Sequence, residues 1–327
     1  MKAIENIIFW LKAARVHTLP MSFMSWLVVF CLALKDGGNI FLGILALIGV
    51  MLAHLGVNLI DDYFDYKNEV GTIKSSEEKK SIKMQNGKCK YLLDGKATIE
   101  QTLIVVIIYF ALAAFFGLVL TIICGWPVVA IAIVASFFCL LYPKLTYWGL
   151  SEFAVGMTFA PLLFVGTYFV MTEAFSFYAI LMSISTGLLT IGLLHTHALM
   201  DYDFDIKEDK RTLCTILKSK HNALWALAVM TFGAYINIAA GVLLDIFPPQ
   251  TLITFLTLPL AITLITQMKT QIEHPEIIPE KKFWMGPMEN WQEIQANNAQ
   301  SFMLRFYIAR NVMMFFCIFL CIGILIS

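Results

Sequence analysis

The side chains best suited to chemistry sit in two short acidic stretches, DDYFDYKNE (Asp61–Glu69) and DYDFDIKED (Asp201–Asp209). Each places acids at i, i+4 and i+8: Asp61, Asp65 and Glu69 in the first, Asp201, Asp205 and Asp209 in the second. Residues four apart share a helix face, so each stretch predicts a column of carboxylates. Phe64 and Lys67 recur as Phe204 and Lys207 at the same offsets, a weak internal repeat that predicts two facing acidic sites. Hard cations such as Mg²⁺ are held by one or two carboxylates together with waters and phosphate oxygens, so two columns suit about two or three Mg²⁺ ions bridging a diphosphate. The candidate metal ligands are Asp61, Asp62, Asp65, Glu69, Asp201 and Asp205. Asp62, Asp65, Asp201 and Asp205 are the expected catalytic core.

Basic and aromatic residues surround these acids. Lys88, Lys90 and Lys96 follow the first column, and Lys210 and Arg211 follow the second. They would complete the charge shell of an anion, with arginine suited to bidentate phosphate contact. His54, Asn58 and Asp62 step by four, and His197 stands four before Asp201. Polar groups within apolar runs are costly and mark candidate sites, although a lone intramembrane histidine also serves packing. Such a site would hold a diphosphate with a long hydrocarbon tail, stabilise the leaving group and shield an allylic carbocation from water. Tyr63, Tyr66, Tyr142, Tyr147 and Tyr202 could face that cation through their rings.

The elements that must position these residues are apolar. Hydrophobic residues make up 59% of the 327 and charged residues 14%, and mean hydropathy is +0.76. Soluble domains carry about 25% charge, so an all-α integral membrane protein is expected. Net charge is zero, and no basic stretch suggests nucleic acid. The seven cysteines show no zinc spacing or CxxC pair.

The first apolar run is too long for a cleaved signal peptide. Nine runs approach bilayer length: 19–34, 40–60, 103–123, 126–142, 153–171, 178–199, 223–244, 251–267 and 306–326. Pro259 is expected to kink the eighth. Residues 1–18 form an arm whose amphipathic helix would lie at the interface with Trp10 as anchor. With the N-terminus inside, only Lys35 of the 23 lysines and arginines falls outside. That asymmetry places residues 61–98, 201–221 and 268–304 in cytoplasmic loops. Both acidic columns then emerge at the inner face of one polytopic domain in the cytoplasmic membrane. Four spans separate them, which predicts a duplicated four-helix unit followed by a ninth helix. The aromatic stretch FWMGPMENW, near residues 283–291, would cap the inner face or simply connect two spans.

At these residues the chain resembles the UbiA family of intramembrane prenyltransferases. Asp62 and Asp65 fall on acids of that family's first motif, with Asp61 at a usual Asn and Glu69 at a usual Asp. Asp201 and Asp205 match its second, DxxxD, motif. ARVHTLP (Ala14–Pro20), NLIDDYFDY (Asn58–Tyr66), LLDGKAT (Leu92–Thr98), GLSE (Gly149–Glu152) and KRTL (Lys210–Leu213) are similar to the MenA-like branch. HALMD before the second motif departs from that branch towards the 4-hydroxybenzoate enzymes, and Asp209 replaces a usual Gly. The resemblance implies nine helices, Mg²⁺, a polyprenyl diphosphate donor and an aromatic acceptor, with 1,4-dihydroxy-2-naphthoate expected ahead of 4-hydroxybenzoate. It also implies that Arg15 and Lys90 contact diphosphate or acceptor. His54, His197 or an acid of the first column would serve as base.

Two other classes compete. A cation-coupled transporter would carry its acids near the membrane midplane at broken helices, not at the inner end of unbroken runs. A CDP-alcohol phosphotransferase needs a Gly where Tyr66 stands.

Overall fold

The computed structural model describes residues 2–72, 89–207 and 210–327, and among them all regular structure is helical. The chain begins with α1 (Lys2–Ala13), α2 (Pro20–Lys35) and α3 (Ile40–Thr72). After α4 (Lys90–Leu93) come α5 (Ile99–Cys124) and α6 (Pro127–Tyr147). Then follow α7 (Ser151–Met157), α8 (Leu163–Thr172), α9 (Phe177–Met200), α10 (Tyr202–Lys207) and α11 (Leu213–Ile216). The chain ends with α12 (Lys220–Leu243), α13 (Leu258–Glu273), α14 (Trp291–Ala296) and α15 (Gln300–Leu325). Start signals are local. Thr98 caps α5 in a capping box with Gln101, Ser176 caps α9 and Ser219 caps α12.

Among the described residues, eight helical segments are long and apolar enough to cross a membrane. The fourth expected run is the exception, a shorter apolar helix over Pro127–Tyr142. Two prolines act differently from a simple kink. Pro259 stands in the first turn of α13, where its missing N–H costs nothing, and the preceding Pro249–Thr257 winds as a 3₁₀ helix. The fifth run instead contains a π turn, Thr158–Leu162, around Pro161.

Contacts divide the chain into two units. One comprises Met1–Phe23 and Ile44–Pro143, the other Met24–Gly43 and Lys144–Ser327. These are not the expected four-helix repeats, because most of α2 packs with the C-terminal helices. In the first unit, Leu55 and Leu59 of α3 pack with Tyr91, Leu92 and Val106. Trp10 of the arm joins this core edge-on to Tyr91, at 6.0 Å between ring centroids, and is half-buried. Ile4, Ile7 and Ile8 are the exposed apolar residues of α1. Helix α5 keeps only 11% of its apolar window buried, as a helix solvated by lipid does.

In the second unit α9 is lined with small and hydroxyl residues, which let backbones approach. Ser185 donates to the Ala234 carbonyl at 2.9 Å, and a methyl on Gly187 would meet Ala160 Cβ at 2.6 Å. The ends of α2, α8 and α15 lie together. Lys35 Nζ donates to Ser327 Oγ, Asn39 N–H to the Met171 carbonyl at 2.8 Å and Tyr168 Oη to Asp36 at 2.7 Å. These three helices therefore run in the same direction.

Candidate functional site

The first acidic stretch lies on one unbroken helix, since α3 continues through it to Thr72. The expected loop over 61–98 therefore begins as helix. Asp62 is buried and Asp61 nearly so, at 1% and 5% exposed, while Asp65 is half-buried one turn further on. Glu69 is on the same helix, and its side chain falls outside the described residues. Arg15, held at φ 58° between the arm and α2, reaches across to this column. Its Nη2 donates to the Asn58 carbonyl at 2.7 Å and Asp62 Oδ1 at 3.0 Å, and lies 3.5 Å from Asp61 Oδ2. Burial opposes the guanidinium charge, and the attraction of Asp62 and Asp61 outweighs it, raising the Arg15 pKa. Tyr142 lies within electrostatic range of the same group. Arg15 Nε is buried with no partner, a spare donor beside the carboxylates.

Thr18, unmarked in the sequence, ties this region together. It accepts from Asn58 Nδ2 at 3.0 Å and sits 3.3 Å from His54 Nε2. His54 Nδ1 lies 3.1 Å from Ser22 Oγ, and Asn58 also donates to the Ala14 carbonyl at 2.9 Å. His54 and Asn58 thus brace the arm against α3. After the undescribed segment the chain returns at Cys89, whose thiol lies 3.4 Å from the Asp62 carbonyl. Lys90 follows it, exposed, and Lys96 pairs with Asp94 at 2.9 Å. Lys88 and Asp209 fall outside the described residues.

The second stretch is built differently. Helix α9 ends at Met200, Asp201 is its C-cap, and α10 starts at Tyr202. The Asp205 N–H still bonds the Asp201 carbonyl at 2.9 Å, so the i, i+4 relation survives the break. Asp205 is 1% exposed, with Lys210 Nζ at 3.8 Å. His197 Nδ1 lies 3.3 Å from Asp201 Oδ2, between the rings of Phe302 and Phe306 on α15. Tyr63 and Tyr202 each lie 5.9 Å below a lysine, Lys67 and Lys220. Arg211 is exposed.

Sequence spacing gave no role to Glu152, yet it is buried and joins two of the stretches singled out above. Its Oε1 accepts the Leu213 N–H at 3.2 Å and its Oε2 the Ser151 hydroxyl at 2.7 Å. Gly149 (φ +73°) allows the approach, because a methyl there would meet Ile216 Cδ1 at 2.4 Å. Glu152 therefore holds the turn that carries Lys210 and Arg211. Replacing it with Ala leaves buried donors unpaired, at about 1–3 kcal/mol. Tryptic cleavage after Lys210 or Arg211 in folded protein should rise roughly tenfold.

Among the described residues no three His, Cys, Asp or Glu side chains form a group able to hold a metal ion alone. What each motif offers is a pair of hard oxygen donors next to a cation, and the spare Arg15 Nε gives the first a further contact for an anion. That donor set fits Mg²⁺ shared with phosphate oxygens, the mode in which Mg²⁺ takes only one or two carboxylates.

The family profile described as the UbiA prenyltransferase family matches residues 22–285. The chain belongs to the UbiA prenyltransferase family. It is a multi-pass membrane prenyltransferase. A 1,4-dihydroxy-2-naphthoate octaprenyltransferase of Haemophilus influenzae is 25% identical over 248 residues, 73% of this chain and 78% of that one. A 2-carboxy-1,4-naphthoquinone phytyltransferase of Synechocystis sp. is 28% identical over 162 residues, 48% of this chain, and the match spans only 52% of that relative. Two solved structures share the fold. A digeranylgeranylglyceryl phosphate synthase superposes with a TM-score of 0.62 at 17% identity over 99% of this chain and all of that one. A UbiA homolog from Archaeoglobus fulgidus bound to GPP and Mg²⁺ gives 0.54 at 14% identity, over 92% and 98%.

Proposed function

We propose that this UbiA-family enzyme transfers a polyprenyl group from an allylic diphosphate to an aromatic quinone precursor, 1,4-dihydroxy-2-naphthoate before 4-hydroxybenzoate. The observation that carries the reading is the pairing of a buried carboxylate with a cation in each motif, Asp62 with Arg15 and Asp205 with Lys210. Naphthoate-prenylating relatives favour the naphthoate acceptor. Mg²⁺, when bound, would neutralise the diphosphate and favour its departure. Asp62 and Asp65 would hold Mg²⁺ at the first motif, with Asp61 and Glu69 adding oxygens, and Asp201 and Asp205 would hold it at the second. Arg15 and Lys90 would contact the anion at the first motif, and Lys210 and Arg211 at the second. Apolar helices would exclude water from the allylic cation, and Tyr142 would offer its ring. His197, paired with Asp201, is the better placed base of the two histidines, because both ring nitrogens of His54 are already within bonding distance of hydroxyls, Thr18 of the arm and Ser22 of α2.

We place the N-terminus and both motifs on the cytoplasmic side of a single domain with nine crossings. The shared direction of α2, α8 and α15 supports this count, since two of the intervals between them hold an odd number of crossings only if α6 crosses.

Washed membranes given radiolabelled geranylgeranyl diphosphate, Mg²⁺ and one acceptor at a time test the reading. Lipid product with dihydroxynaphthoate, abolished by EDTA and restored by Mg²⁺, is expected. Product that persists in EDTA overturns the metal assignment, and product only with 4-hydroxybenzoate moves the enzyme to that branch.

A further inference from the structure

Two polar residues inside the apolar run of α15, Arg310 and Asn311, serve a stretch of chain that precedes the helix. Asn311 is fully buried, and its Nδ2 donates to the Met285 carbonyl at 2.9 Å and the Pro287 carbonyl at 3.1 Å. Arg310 gives Nη2 to the same Pro287 carbonyl at 2.8 Å and Nη1 to Glu289 at 2.7 Å. Gly286 (φ +89°) comes so close that a methyl on it would meet Asn311 Nδ2 at 2.7 Å and Phe315 Cε2 at 2.9 Å. The Met285 N–H bonds the Lys282 carbonyl in a 3₁₀ turn over Phe283–Met285, and Pro287 has no N–H to satisfy. Water would serve these carbonyls in a loop outside the membrane. A buried amide in a membrane helix is costly, and is needed where irregular backbone stands at hydrocarbon depth.

Helix α13 sets the level from which this stretch departs. Arg305, fully buried, donates Nε to the Gln267 carbonyl at 2.9 Å, and the Ser301 hydroxyl donates to Gln271 Oε1 at 2.9 Å. The end of α13 therefore lies beside the start of α15. From there the chain runs along α15 until Gly286 meets Asn311 and Phe315. It then returns past Tyr307, whose hydroxyl bonds the Glu289 carbonyl at 3.2 Å. The apolar run 306–326 is about 30 Å long at ~1.5 Å per residue, the thickness of the hydrocarbon. On that scale Asn311 and Phe315 are about 8 and 14 Å deep.

The chemistry of the stretch changes with this level. Residues 283–288 (FWMGPM) carry no charge, whereas Lys281 and Lys282 precede them and Glu289 follows. Lys281 Nζ stands 5.8 Å from the Trp291 ring, a cation and an indole paired as at a headgroup boundary. The Arg310 guanidinium lies over the Tyr307 ring at 4.5 Å, one turn nearer the helix start, so its charge snorkels away from the hydrocarbon. Met285 and Met288 are buried, while Phe283 and Trp284 are 94% and 42% exposed.

We propose that residues 283–288 form a re-entrant wedge in the leaflet at the start of α15, with Phe283 and Trp284 against lipid acyl chains. Lipid is the partner because the uncharged, exposed rings continue the surface of a membrane-spanning helix. A lid over a polar site would turn its rings towards the protein, whereas here the methionines pack inwards and the rings stand out. Arg310 and Asn311 thereby satisfy the backbone of the wedge where water does not reach.

The test compares the fluorescence of the full chain with that of Trp284→Phe, both in lipid nanodiscs, so that the difference is the Trp284 signal. Lipid brominated on its acyl chains should remove at least half of that signal, and iodide in the buffer should leave it unchanged. Quenching by iodide puts the tip in water and overturns the insertion. Quenching by neither means that protein, such as a second copy of the chain, covers the face, and overturns lipid as the partner. Asn311→Leu, which takes the amide away from the tip, should make the Trp284 signal at least twofold more sensitive to iodide. Phe283→Asp, at an exposed position, should do the same without disturbing the core. Iodide sensitivity unchanged in both variants, each measured against its own Trp284→Phe partner, overturns the wedge.

Discussion

Asp205→Ala and Asp65→Ala are each expected to bring prenyl transfer to background, a fall of at least about 10²–10³ in kcat/KM, the scale for losing one preorganised charge-stabilising contact. The fold should survive both changes. Asp65 is half-buried on a helix that continues for another seven residues to Thr72, and Ala is a good helix former. Asp205 is buried, but its nearby cation Lys210 has a side chain 35% exposed and can turn to water. A purified variant with unchanged helicity and no turnover therefore reports on chemistry rather than folding. Asp205→Asn sharpens the point, since it keeps the shape and removes only the charge. Radiolabelled product formed at the original rate by either alanine variant would refute the assignment of that carboxylate.

Arg15→Met should act on stability and function together. It deletes the donor shared by the Asn58 carbonyl, Asp61 and Asp62, and deprives the buried Asp62 of its arginine. Removing one partner of a buried ion pair costs about 3–5 kcal/mol. Arg15 keeps a side chain 24% exposed, so water screens part of this and about 1–3 kcal/mol is expected. A lowered thermal midpoint in detergent, together with weaker donor binding, is the expected pair of results. Arg15→Lys should recover some stability but little binding, because an ammonium cannot reproduce the planar fork. An Arg15→Met protein that melts and binds diphosphate as the original does would show that the pairing has no such role.

Helical class, membrane character and the acid columns were legible because each depends on residues close in the chain. Apolar runs reveal themselves by length, and Asp61 and Asp65 by a spacing of one helical turn. What escaped was made by distant partners. Nothing in ARVHTLP states that Arg15 meets carboxylates 46 and 47 residues later, or that Thr18 links His54 to Asn58. Glu152 and Arg305 were hidden for the same reason, since a lone charge at the edge of an apolar run reads as a solvated helix end until its burial is known. The second column was read on a single helix, whereas α9 ends at Met200 and α10 starts at Tyr202; its last member, Asp209, falls outside the described residues. Pro259 was given a kink that its place in a first turn makes unnecessary, while Pro161 passed unnoticed.

The π turn at Pro161 has a bearing on how the second unit tolerates length changes. Each residue in an α-helix advances the side chains by about 100°, and a π turn accommodates one residue more than an α turn does. The segment before Thr158 and the segment after Leu162 are thus out of phase by that one residue, and Tyr168 faces Asp36 only because of the offset. Removing a single residue between 158 and 162 would restore an ordinary helix and swing Tyr168, with the rest of α8, through roughly a quarter turn. The fifth run is therefore keyed like a two-part shaft: its first half sets Glu152 against the turn after the second motif, its second half sets Tyr168 against α2, and one inserted residue keeps both in register.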